Sequence, residues 1–132
     1  MKNFTNNFKQ FTSRLSARWL IMALMLLVGT SSAWAAKWTV YFVNKDKWST
    51  VKIHHWKDGG SSTTWPGADM TKTSNSVLGY NVYSFNADDD HNKCIFNNGS
   101  GAQTGDLDIN NGKYYYNGAW YSSISEIEEA AT

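Results

Sequence analysis

The chain has 132 residues, with 12 Lys and Arg against 11 Asp and Glu, one cysteine and one proline. That length allows one small domain once an N-terminal leader is set aside, and a lone cysteine excludes an internal disulfide. Both arginines, Arg14 and Arg18, sit in the leader, so the rest of the chain lacks the basic patches that grip nucleic-acid phosphates, and no nucleic-acid partner is expected.

Residues 1–35 read as a cleavable secretory signal peptide. Lys2, Lys9, Arg14 and Arg18 form a basic segment with no acidic residue, and Trp19 to Val28 is an apolar run too short to span a bilayer comfortably. Ala33-Trp34-Ala35 then fits the small-x-small rule for cleavage after Ala35. A secreted or cell-surface location follows, with no membrane attachment after cleavage. The remaining 97 residues carry 8 basic and 11 acidic groups, a net charge of −3.

Lys37 to Val43 is rich in β-branched and aromatic residues and predicts a strand, ended by the turn Asn44-Lys45-Asp46-Lys47. Val51-Lys52-Ile53-His54-His55-Trp56 predicts the next. Alternation sends Val51, Ile53 and His55 toward a core, and Lys52, His54 and Trp56 toward solvent. A Gly/Ser loop from Lys57 to Ser62 returns the chain to Thr64-Trp65-Pro66-Gly67, where Pro66 biases Trp65 toward an extended backbone. Met70-Thr71 suits a short edge strand. Leu78 to Phe85 alternates again, and Asn86 to Asn92 reads as a polar hairpin loop. Lys93 to Asn97 is a short strand followed by the turn Asn97-Asn98-Gly99-Ser100-Gly101. Gln103 to Ile109, Lys113 to Tyr116 and Ala119 to Tyr121 complete the set, the last two joined at Asn117-Gly118. Short strands broken by Asn/Gly turns, with no amphipathic helix, predict an all-β fold: a small antiparallel β-sandwich of immunoglobulin-like type over residues 36–121. Residues 122–132 read as an acidic tail, either one helical turn or disordered. Cys94, between Lys93 and Ile95-Phe96, reads as a buried small apolar residue.

Candidate chemistry is thin. Asp88-Asp89-Asp90-His91 offers carboxylates, but three adjacent ones cannot converge on one ion, and the spacing lacks the alternate ligands of a Ca²⁺ loop. The run reads as a solvated hairpin tip. A carboxylate pair for glycoside hydrolysis would have to come from Asp106, Asp108 or this loop, with no deep cleft expected to raise one pKa. His54 and His55 point to opposite faces of one strand and cannot share a metal. No catalytic residue, metal ligand or cofactor is assigned, and an enzyme is not expected.

The aromatic content is the informative feature. Beyond the leader there are five tryptophans and seven tyrosines, more than a core this small can bury. Trp38 and Trp120 are expected in the core or at the sandwich end, and Trp48 in either setting. His54, Trp56 and Trp65 form a candidate binding surface, unless a neighbouring sheet covers Trp56. Flat rings stack on the apolar face of a pyranose. Each stack contributes about 2 kcal/mol at about 25 cal/mol/Å². Two or three such stacks, set against the cost of association, give a Kd of about micromolar to millimolar.

Trp48 to Trp56, followed by Thr64-Trp65-Pro66-Gly67-Ala68-Asp69-Met70, resembles the starch-binding carbohydrate-binding module of family 26. Ile95-Phe96-Asn97-Asn98-Gly99, Gln103-Thr104-Gly105-Asp106-Leu107 and Gly112 to Tyr116 resemble its second half, so the likeness covers residues 38–121. The resemblance implies a β-sandwich that binds α-1,4-linked glucans non-catalytically and is commonly appended to secreted amylases. Carried over by position, the ligand would rest on His54, Trp56 and Trp65. His54 departs from the tyrosine often found there: it can stack or hydrogen-bond, but becomes charged at low pH. Lys52, Asn98 and Gln103 are candidate hydrogen-bonding partners. The expected ligands are starch, glycogen or maltooligosaccharides, held by a monomer. The reading from another class is a secreted adhesion or assembly module whose aromatic face docks on a protein.

Overall fold

Alternation along Trp38–Val43 (β1) builds the core: Trp38, Val40 and Phe42 face inward and are buried. The computed structural model describes residues 36–132, and the signal-peptide reading falls outside the described residues. After β1 come β2 (Lys52–Trp56), β3 (Ala68–Asp69), β4 (Thr71–Val77), β5 (Tyr80–Ala87), β6 (Lys93–Asn97), β7 (Leu107–Asp108), β8 (Tyr114–Tyr116), β9 (Ala119–Tyr121) and α1 (Ile124–Ala130).

The strands form two sheets, ordered β4-β5-β1-β8-β9 and β3-β2-β6-β7. This is the β-sandwich expected. Its ladders are antiparallel except between β1 and β8, which run parallel. Between the sheets lies a core of Trp38, Val40, Phe42, Val51, Ile53, Met70, Cys94 and Phe96. The inner row of β2 is as the alternation requires: Val51, Ile53 and His55 are all buried. Burial pushes the His55 imidazole down to about 4, with Asp89 opposing that shift. Trp48 resolves toward the core, stacked on Phe42 with ring centroids 5.2 Å apart, and Trp120 packs edge-on against Tyr115 and Phe96. Cys94 is buried, and loss of solvation pushes its thiol up to about 12.

Four stretches differ from expectation: Gln103 to Ile109 contributes only the two-residue β7, and residues 88–92 cross from β5 to β6 in the other sheet and close no hairpin. β4 is a full seven-residue strand where the sequence suggested only a fragment near Met70-Thr71. Its side chains are polar because it is an edge strand, and its register is irregular between Lys72 and Ser76. The β4–β5 turn places Leu78 and Gly79 at φ 54° and 82°, the doubly left-handed geometry of a tight hairpin, so Leu78 belongs to the turn and not to β5. The acidic tail is also more than a single turn or a disordered end. Ser123 caps α1 by accepting the amide N–H of Glu126, and Ile127 is fully buried with Val43, Val77 and Val82. α1 therefore completes a second apolar cluster on the outer side of the five-stranded sheet.

Candidate functional site

The outer face of the four-stranded sheet carries the site. On β2, Lys52, His54 and Trp56 point outward between the buried residues, each half-buried. His54 is the centre: its ring lies 5.3 Å from Trp56 with planes tilted by 32°, and 5.2 Å from Trp65 in an edge-on arrangement at 66°. Trp65 is 47% exposed, an unusual exposure for so large an apolar ring. Among the described residues, no sheet covers Trp56, which is half-buried. Ile95, paired with His54 on the same outer face, is buried and gives the platform an apolar floor.

Local geometry holds the three rings. Thr63 Oγ1 lies 2.7 Å from His54 Nδ1 and accepts the His55 amide N–H at 3.1 Å, which fixes the imidazole against the loop. Gly67 comes so close to β2 that a Cβ there would stand 2.0 Å from the Ile53 carbonyl oxygen, and its φ is 99°. Only glycine fits such an approach. The fully buried Asn97 donates from Nδ2 to the Pro66 carbonyl oxygen at 3.0 Å, and its Oδ1 accepts the Gly99 amide N–H. Trp65 is thus anchored through Pro66 and Gly67 to β6 and β2. Burial lowers the His54 pKa from its ordinary value, Asp106 opposing and His91 adding to the shift, which favours the neutral ring.

The other expected site residues divide. Lys52 shares the outer face, ion-paired to Asp69 at 2.7 Å and lying over Gly99. Asn98 accepts the amide N–H groups of Ser100 and Ala102 and so shapes its own turn. Gln103 stands at a cleft of about 190 Å³ lined by Phe42, Trp48, Tyr115 and Asn117, apart from the three rings. Sequence reasoning missed Thr63 and Asn97. Thr63 sits in a loop and Asn97 at the end of β6, where the sequence reads as a turn, and only their partners across the chain reveal a role.

The Asp88-Asp89-Asp90-His91 loop corrects one expectation. Asp88 and Asp90 are exposed, as a solvated tip requires, but Asp89 and His91 turn inward. Asp89 Oδ1 accepts the Trp38 indole N–H at 2.9 Å, and His91 Nδ1 lies 2.7 Å from His55 Nδ1.

A β-sandwich presenting three contacting rings on one outer face has the form of a non-catalytic carbohydrate-binding module. The family is more definite: residues 40–109 match Starch-binding module 26 (CBM26), and the chain belongs to that family. No curated protein sequence matches. Among solved structures, iodinated CBM25 from Bacillus halodurans amylase is 27% identical with a TM-score of 0.52, covering 67% of this chain and 97% of that one. The same module in complex with maltotetraose is 28% identical with a TM-score of 0.50, covering 64% and 94%. A CBM26 structure from Eubacterium rectale in complex with maltoheptaose is 22% identical with a TM-score of 0.46, covering 67% of this chain and 51% of that one.

Proposed function

We propose that the domain binds starch-type α-1,4-glucans without chemistry, with His54, Trp56 and Trp65 as the platform. The observation that carries this reading is the seating of His54 between two indoles, in a chain that belongs to a starch-binding family. Rings inclined to one another suit an α-glucan, whose curvature turns successive glucose units. Maltotetraose bound to the related Bacillus halodurans module supports oligosaccharides of this type as ligands. Starch, glycogen and maltooligosaccharides share the linkage and are the proposed ligands, bound by a monomer. Lys52, on the same face, would donate to hydroxyls at one end of the platform and Asn98 would be a peripheral contact, whereas the position of Gln103 at a separate cleft argues against a role for it there.

The signal-peptide pattern supports a secreted or cell-surface module, free of the membrane once the leader is removed and accessory to amylase action. Depletion of the protein by insoluble starch, with maltoheptaose as competitor, tests the reading. Retention released by the sugar supports it. Retention indifferent to the sugar would point to docking on a protein instead. Incubation with soluble starch should release no reducing sugar.

A further inference from the structure

On the opposite side of β2 from the platform, three ligand-type side chains converge. His55 Nδ1, His91 Nδ1 and Asp89 Oδ2 lie 2.7, 3.7 and 3.6 Å apart pairwise, with His55 and His91 nearly enclosed and Asp89 one-third exposed. A point equidistant from three atoms so spaced lies about 2.0 Å from each. Zinc takes imidazole nitrogen at about 2.0–2.1 Å and carboxylate oxygen at about 2.0–2.2 Å. We propose that His55, Asp89 and His91 form a structural site for a borderline divalent cation, Zn²⁺ first among them, with water in the fourth position.

The surrounding hydrogen bonds prepare the ligands. The Trp38 indole and the His91 amide both donate to Asp89 Oδ1, at 2.9 and 3.0 Å, which leaves Oδ2 facing the two imidazoles. Ser61 Oγ lies 3.1 Å from His91 Nε2 and can accept a hydrogen bond from its N–H, the tautomer that leaves Nδ1 with a lone pair toward the centre. Such outer partners fix tautomer and ring orientation at metal sites. Two imidazole nitrogens favour zinc-type ions over Ca²⁺ or Mg²⁺, which take oxygen ligands. The ligands come from β2 and the β5–β6 loop, and Trp38 joins β1 to them, so an ion would staple three segments at one end of the sandwich. His54, the third histidine of the chain, faces the other way and takes no part.

The test uses the full chain without a polyhistidine tag, stripped with EDTA and titrated with ZnCl₂. One Zn²⁺ should bind per chain, and Tm should rise by about 10 °C or more once free Zn²⁺ exceeds Kd a hundredfold. CaCl₂ at the same concentration should leave Tm unchanged, and a Ca²⁺ response equal to that of Zn²⁺ overturns the ligand assignment. Asp89→Asn and His91→Gln should each weaken Zn²⁺ binding at least tenfold, while Asp90→Asn, altering the exposed neighbour, should not. If either ligand variant fails to fold, Co²⁺ added to the unaltered chain decides, through the visible bands of a four-coordinate nitrogen and oxygen site. No binding up to about 1 mM Zn²⁺, or equal binding in a folded ligand variant, leaves a proton shared between two histidines and overturns the proposal.

Discussion

The Asn97 side chain and the Pro66 carbonyl, 31 residues apart in sequence, meet at 3.0 Å with Asn97 only 1% exposed. This bond joins the strand beneath the platform to the loop that carries its most exposed ring. Asn97→Ala removes the tie and leaves the Pro66 oxygen without its donor. We expect a stability loss of about 1–3 kcal/mol and weaker maltoheptaose binding, because Trp65 is no longer held in place. Calorimetric titration beside a thermal melt reads both. Unchanged affinity in a folded variant would remove Asn97 from the positioning of the site.

Trp65→Ala should leave the melting transition nearly unmoved, since the ring is about half exposed. One lost stack of about 2 kcal/mol weakens binding roughly thirtyfold. Trp56→Ala should likewise lose most starch retention. Trp38→Ala should behave oppositely, costing about 3–5 kcal/mol of stability as large core truncations do. Starch depletion and thermal melts on the three variants give the contrast. A Trp65 variant that unfolds would falsify the assignment of that ring to the surface.

Gly67→Ala asks for a Cβ where the Ile53 carbonyl already stands, at a backbone conformation that side chains rarely adopt. The loop must move off β2, and Trp65 with it. We expect reduced glucan affinity and a lower Tm. An alanine variant with wild-type values for both would mean that the close approach does not matter to the site.

Ile127→Ala should destabilise the domain by about 2–5 kcal/mol, because the side chain is fully buried beside Val43, Val77 and Val82. Urea unfolding measures the change. A neutral result would return α1 to the status of a dispensable tail.

The Cys94 thiol, buried and raised to about 12, should not react with a thiol-specific disulfide reagent in the native protein and should react fully in denaturant. Rapid labelling under native conditions would show that β6 opens readily.

The two faces of β2 were legible in the sequence because a strand alternates strictly, and one polar position between two apolar ones settles which side is wet. The platform of His54, Trp56 and Trp65 followed from that alternation together with the resemblance to family 26. β4 was largely hidden, since an edge strand of Thr, Lys, Ser and Asn has no apolar row to mark it. α1 announced itself in Ser123-x-x-Glu126 ahead of Ile127, a capping signal easily passed over in a run of glutamates. The meeting of His55 with Asp89 and His91 could not be read at all. It depends on a pairing between segments about 35 residues apart, and local pattern says nothing of which loop folds over which strand end.

The rings are set before any sugar arrives: Thr63, Gly67 and Asn97 fix them to the sheet, so little of the protein has to be ordered on binding. Encounter is then limited by diffusion and orientation, at about 10⁵–10⁷ M⁻¹s⁻¹. At the expected affinities of about micromolar to millimolar, each visit to a glucose segment lasts between about 0.1 ms and about 10 s. With its rings set in advance, the module can exchange one glucose segment for the next without rebuilding its loops.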